Sequence, residues 1–212
     1  MYNPEHFAEH DTQVLWQLMG RYPLGTLVTH GENGLDANHL PFECDAEEGT
    51  LGCLRGHVAR ANPVWQDVRN GDDVLVVFRG ADAYISPNWY PSKHAFHKQV
   101  PTWNYEAVHA HGQIVVHDNE RFVRGLVARL TRAHEAGQPV PWKMSDSPRE
   151  HIDMLLTLIV GIEINISRLV GKRKLSQNKD AGDRLGAGNA LMQNGCTALG
   201  QAMLDTVHNT SS

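Results

Sequence analysis

Cysteine is scarce in this sequence: Cys44, Cys53 and Cys196 stand singly among 212 residues, without the paired spacing of a zinc ribbon or a redox motif. An odd number cannot pair off completely within one chain, and a reducing, cytoplasmic setting is expected. No apolar run approaches the ~20 residues that a membrane helix needs, and the opening stretch MYNPEHFAEHD lacks the apolar centre of a signal peptide. A Walker loop, a Rossmann glycine fingerprint and a G-x-S-x-G elbow are all absent, and Ser86 and Ser176 have no identifiable base. Those absences set aside P-loop nucleotide binding, dinucleotide binding of the Rossmann type and serine hydrolysis. Basic residues are in deficit, 19 against 24 acidic, for a net charge of −5. With no helix-turn-helix pattern either, neither charge nor motif supports DNA as a partner.

What is present reads as short strands with helices inserted late. Thr12 to Met19 has helical spacing, with Asp11 or Thr12 as cap and Gly20 then Pro23 as terminators. Leu24 to Thr29 and Asn38 to Glu43 flank a Gly-, Asn- and Asp-rich connection, and Pro41 places the second of them at an irregular or edge position. Thr50 to Arg55 is a third strand; Asn62 and Pro63 then supply a cap and first position for a helix ending at Gly71. Asp73 to Phe78 and Ala83 to Ser86 are strand-like with Gly80 between them, and Trp103 to Val116 has strand character again. Asn119 caps a helix carrying Phe122, Val123, Leu126, Val127 and Leu130, and Ser147 to Glu150 has the form of a capping box opening a helix through Ile159. Ile162, Ile164 and Ile166 then alternate with polar residues, the period of a half-buried strand. This order predicts a mainly β fold, a small barrel with helices packed around it, over 1–179, followed by a helical appendix at 180–212 that includes Ala198 to Val207.

Four segments concentrate ligand-binding groups: Asn38-His39-Leu40-Pro41, Arg55 to Asn62, Val100 to Tyr105, and Lys172 to Lys179. Arg55, His57 and Arg60 precede a predicted helix, where free amides and the helix dipole favour an anion such as phosphate. The same residues equally fit an ordinary polar turn. In VPTWNY, Trp103 and Tyr105 beside Thr102 and Asn104 suit a planar heteroaromatic ligand, although taken alone two aromatics entering a strand are core residues. Lys172 to Lys174 taken alone is a solvated basic turn. Thirteen histidines include the close pairs His94/His97 and His109/His111. On a strand the second pair shares a face, yet no Cys or carboxylate completes a recognisable ligand set, and no metal site is expected.

Together ANHLPF (Ala37 to Phe42), GHVARANP (Gly56 to Pro63), YISPNWY (Tyr84 to Tyr90), VPTWNYEAVHAHG (Val100 to Gly112) and GKRKLSQNK (Gly171 to Lys179) resemble the PaiB family of FMN-binding negative transcriptional regulators. The resemblance covers about Met1 to Lys179 and implies a split β-barrel like that of pyridoxamine-phosphate oxidases and flavin reductases. It also implies a homodimer with FMN at the subunit interface and a role in repression. It would run Asn38, His39 and Leu40 along the isoalloxazine and give the phosphate to Arg55, His57 and Arg60. Trp103 and Asn104 would lie near the ring or ribityl chain, and Lys174, Ser176 and Gln177 would reach the flavin, from the same or the partner subunit. An FMN-dependent oxidoreductase of flavin-reductase type is the alternative function. A haem-binding split barrel using the histidines near His94 to His111 ranks behind it.

Overall fold

The computed structural model describes residues 1–32 and 34–208. In chain order the elements are β1 (Ala8–Glu9), α1 (Thr12–Arg21), β2 (Leu24–Gly31), β3 (Gly34–Pro41), β4 (Glu43–Asp45) and β5 (Cys53–Ala59). They continue with α2 (Val64–Asp67), β6 (Asp73–Ile85), α3 (Pro91–Phe96), β7 (Thr102–His117), α4 (Glu120–Glu135) and α5 (Arg149–Leu156). The last three are β8 (Ile159–Lys174), α6 (Ala181–Gln193) and α7 (Thr197–His208). The antiparallel sheet runs β3-β2-β6-β7-β8-β5-β4, with β1 pairing β8. It is a mainly β architecture of the split-barrel type.

The two ends of that path are consecutive in sequence. β3 ends at Pro41 and β4 begins at Glu43, so one strand turns a corner at Phe42 and contributes to both margins of the sheet. Phe42 is 2 % exposed. A Cβ on Gly25 would stand 3.0 Å from its ring and one on Gly56 would stand 3.3 Å away, so glycine on both flanking strands makes room for the corner. Pro41 has no N–H to give, which suits the last residue before the turn.

Burial follows the period of two that strands impose. Along β8, Val160, Ile162, Ile164 and Ile166 are buried while Asn165 and Ser167 are exposed. β6 is one continuous strand, where two were expected about Gly80. That glycine is buried and is not among the residues with positive φ, so it serves close packing and not a turn. The third strand starts at Cys53, later than expected, because Gly52 at φ +90° occupies a turn with the Trp16 ring against it.

The chain divides into two compact units, one made of Met1–Leu15, Arg79–Val108 and the chain from Val170, the other of Trp16–Phe78 and His109–Leu169. In the second, Asn119 Oδ1 accepts from the Phe122 amide at 2.9 Å to start α4, whose Val123 packs with Ile152 and Leu156 of α5. The expected capping box at α5 is absent: Pro148 is the N-cap and makes no side-chain bond, and the helix stops at Leu156, because β8 begins only three residues later.

In the first unit, α6 and α7 share one buried cluster with Ala83, Ile85, Tyr90 and Leu175, through Ala187, Leu191, Leu199 and Met203. The helices expected as an appendix are therefore part of this unit's core, and residues 209–212 of the expected segment lie outside the described residues. Within that expected helical segment α6 had no bounds of its own, because small residues do its packing. A Cβ on Gly186 would meet the Trp89 carbonyl at 2.3 Å, and one on Gly188 would meet Leu204 at 2.9 Å. Among the described residues no helix is long and apolar enough to cross a membrane.

Candidate functional site

β5 carries the groups that the sequence marks for an anion, but the strand places them differently from the expectation. Arg55, His57 and Arg60 precede a helix of only 4 residues, too short to concentrate a dipole on a ligand. Arg55 is 8 % exposed and already surrounded: its Nε donates to Glu163 at 2.8 Å, its Nη1 to Asp45 at 3.2 Å, and its Nη2 to Glu48. Three carboxylates already engage it, so this arrangement lends the expected phosphate role no support. Arg60 lies past the strand end, bound through Nη1 to Asp118 at 2.9 Å and through Nε to the Thr157 carbonyl at 2.7 Å. Hydrogen bonding from Arg60 holds the Asp118 carboxyl below its ordinary value.

His57 differs from both. Its Nδ1 is buried and has no hydrogen-bond partner, and burial lowers the pKa of the ring. The side chain lines a cavity of about 320 Å³ together with Pro41, Leu130, Thr131, His134 and Trp142. Thr131, Glu135 and Trp142 also line an adjoining cavity of about 560 Å³. Both volumes fall in the range of roughly 300–1,000 Å³ typical of small-molecule sites. Trp142 is held over this region by its own backbone, whose N–H donates to Glu135 Oε2 at 2.9 Å.

None of the α4 and Trp142 residues was singled out from the sequence. A trace of them was there: Val127, Leu130, Thr131 and His134 continue one stripe at helical spacing, with polar groups where packing alone would use apolar ones.

In the same unit, Asn38 accepts from Asn62 Nδ2 at 2.6 Å and donates to Asp36 at 2.9 Å, which ties β3 to the turn after β5. His39 is exposed and its Nδ1 meets Thr26 Oγ1 at 3.0 Å across the β2–β3 register. Leu40 is 8 % exposed and belongs to the core. His109 and His111 stand with ring centroids 6.4 Å apart, and among the described residues no group of three or more metal-type side chains gathers.

The remaining candidates lie in the other unit. Trp103 is 55 % exposed and meets Tyr84 edge to face at 6.2 Å. Asn104 is fully buried, giving Nδ2 to Ser176 Oγ at 2.9 Å while its Oδ1 has no partner. Ser176, at φ 64°, also meets the Tyr90 hydroxyl at 3.2 Å. Lys174 Nζ donates to Thr102 Oγ1 at 2.5 Å, and burial, with Lys172 nearby, lowers its pKa. Gln177 closes its own loop, accepting from the Leu175 amide at 2.7 Å and donating to the Arg173 carbonyl at 2.5 Å. Four of these five sequence candidates thus make hydrogen bonds within the unit, with only the Asn104 Oδ1 left over among their buried atoms, and Trp103 presents an exposed ring.

An antiparallel split barrel of this order defines the class of FMN-binding split-barrel proteins. Residues 1–168 match the family model FMN_bind_2, described as "Putative FMN-binding domain", and the chain belongs to that family, with FMN as its cofactor. The matched range ends before Lys174, Ser176 and Gln177. The protein is similar to the protease synthase and sporulation protein PAI 2 of Bacillus subtilis, a PaiB protein, at 32 % identity over 86 % of this chain and 85 % of that one. An uncharacterized protein of Emericella nidulans is 36 % identical over 88 % of each chain. Among solved structures, a FAD and heme binding protein from Mycobacterium smegmatis matches with TM-score 0.59 at 16 % identity, covering 82 % of this chain and 76 % of that one. The flavocytochrome Anf3 from Azotobacter vinelandii matches with TM-score 0.57 at 12 % identity, covering 84 % and 74 %. At these identities the last two report on the fold alone.

The residues present fit a flavin. An orphaned buried ring nitrogen at His57 is a group that a ligand's polar edge would satisfy. Pro41, Leu130 and Trp142 supply apolar surface beside it for a flat ring.

Proposed function

We propose that this protein is a cytoplasmic, flavin-responsive repressor: it binds FMN beside His57, works as a homodimer with the cofactor at the subunit interface, and lowers transcription of its targets. The observation that carries the flavin part is a cavity of about 320 Å³ lined by His57, a residue whose buried Nδ1 has no partner. His39 and Asn38, on the strand that ends at Pro41, extend the same reading toward the ring. Arg60 is the cation proposed for the phosphate. Its bond to Asp118 lies at the surface, where ion pairs are weak and a doubly charged ester competes well, whereas Arg55 cannot exchange three carboxylates for one phosphate. Bound FMN supplies one- and two-electron redox chemistry, and the protein's part is to position it and tune its surroundings. The regulatory part rests on similarity to PAI 2, whose name ties that protein to sporulation.

Titration followed by flavin fluorescence tests the site. His57→Ala and Arg60→Gln are each expected to weaken FMN binding at least tenfold while leaving the thermal midpoint within a few degrees. Unchanged affinity in both would move the flavin elsewhere, and a Soret band in the purified protein would replace flavin with haem. Light scattering reads the dimer. Gel shifts at two salt concentrations read DNA binding, and no binding beyond that of a neutral control protein would remove direct repression.

A second reading, an FMN-dependent oxidoreductase, is favoured by one observation: the cavity beside His57 adjoins a larger one, which leaves room for a second molecule. Reduction of bound flavin by NADH or NADPH with turnover supports it, and no turnover with both opposes it.

A further inference from the structure

The larger cavity, about 560 Å³, is walled by apolar groups from Ala136, Pro141, Trp142 and Met144, and two cations stand at its margin, Arg132 and Lys143. Among the described residues neither cationic head has an ion-pair or hydrogen-bond partner. Arg55, Arg60, Arg79, Arg124, Arg129, Arg149 and Arg173, by contrast, all meet carboxylates. The one carboxylate in the wall, Glu135, is turned to the Trp142 amide. The result is an apolar chamber with two unspent positive charges.

We propose that this chamber binds a small organic acid: a carboxylate with a flat or compact apolar body, held by Arg132 and Lys143 at the charged end and against Trp142 at the other. Charge alone would not select it, because exposed lysines and arginines attract any anion weakly. Apolar walls alone would not either, because they accept neutral molecules of the same shape. The juxtaposition selects for both features at once. It shares Trp142 with the flavin reading, while Arg132 and Lys143 belong to this chamber alone and His57 and Arg60 to the flavin reading.

The probe is 3-phenylpropionate, titrated calorimetrically into the full chain with and without FMN. Its amide keeps the body and removes the charge, and acetate keeps the charge and removes the body. One acid per chain is expected, with the amide and acetate each at least tenfold weaker. Arg132→Gln combined with Lys143→Gln should weaken the acid at least tenfold while the melting midpoint and the FMN titration stay as in the parent. Trp142→Ala should weaken the acid and the amide alike. Equal binding of acid and amide would overturn the proposal, as would an unchanged double variant. Loss of FMN binding in the double variant, with FMN displacing the acid, would also overturn it by giving the chamber to the cofactor's phosphate.

Discussion

Arg55 and Glu163, 108 positions apart in sequence, face each other across the β5–β8 ladder with Nε donating to Oε2 at 2.8 Å. Removing the arginine would leave Glu163, 16 % exposed, without its cation, while Asp45 and Glu48 reach solvent. Arg55→Ala is expected to cost about 3 kcal/mol in urea unfolding, because Glu163 remains largely desolvated. FMN affinity should stay within twofold of the parent, and a tenfold loss in a variant that still folds would return Arg55 to the cofactor.

The corner residue makes a sharper demand on stability. Phe42→Ala empties space between Gly25 and Gly56, beside the Phe78 ring. A cost of about 3–5 kcal/mol is expected, and Phe42→Leu should recover much of it. Chemical denaturation of the three proteins reads the comparison, and equal midpoints for Ala and Leu would show that the corner is not set by volume.

Two glycines should respond with opposite sign. A Cβ on Gly112 would sit 2.4 Å from the Asn165 carbonyl oxygen, a backbone atom that can move only by shifting the β8 strand. Gly112→Ala is expected to destabilise by about 1–3 kcal/mol. Gly20, inside α1, has nothing within 4 Å of its Cβ position. Gly20→Ala should stabilise by up to ~1 kcal/mol from helix propensity, read as a higher thermal midpoint.

Acid should weaken the fold through histidine. Burial lowers the pKa of His57, His109 and His111 from the ordinary 6.5, so the folded chain resists protons that the unfolded chain accepts. Their contribution is complete above pH 6.5 and is lost as the pH falls below it. Each can add a slope of up to about 1.4 kcal/mol per pH unit. Urea midpoints between pH 7.5 and 5.5 should decline, and His57→Gln should flatten the decline.

Thiol chemistry should single out one cysteine. Burial pushes Cys44 and Cys53 up to about 12, while Cys196 is exposed. At pH 8 a disulfide reagent should titrate one thiol per folded chain rapidly and all three only in denaturant. Rapid reaction of two would show that the β4–β5 margin opens.

The strands were legible wherever one face is buried, since Ile162, Ile164 and Ile166 write the period of two directly into the sequence. α6 was not legible, because Gly186 and Gly188 pack by being small and leave no apolar stripe. The motifs GHVARANP and ANHLPF contribute His57 and Pro41 to the lining of one cavity. They could not show that Arg55 is consumed by Glu163, which depends on a strand pairing 108 positions away. Trp142 lay hidden for a related reason: its importance comes from Glu135, seven positions earlier, holding it over a cavity that only the packed α4 creates.

The β5–β8 pairing also sets a timetable. The β2–β3 hairpin joins neighbours in the chain and can form in about 1–10 μs. β5 must wait for a strand that begins at Ile159. Loop closure on that scale is a late and slow event, and it delays the Phe42 corner, whose far arm β4 has, among the described residues, β5 as its one strand neighbour. On the ribosome, β4 and β5 emerge long before their partner, so an early chain exposes Leu54 and Val58 until β8 arrives. The risk of misassembly for this protein is therefore concentrated in the interval between those two strands.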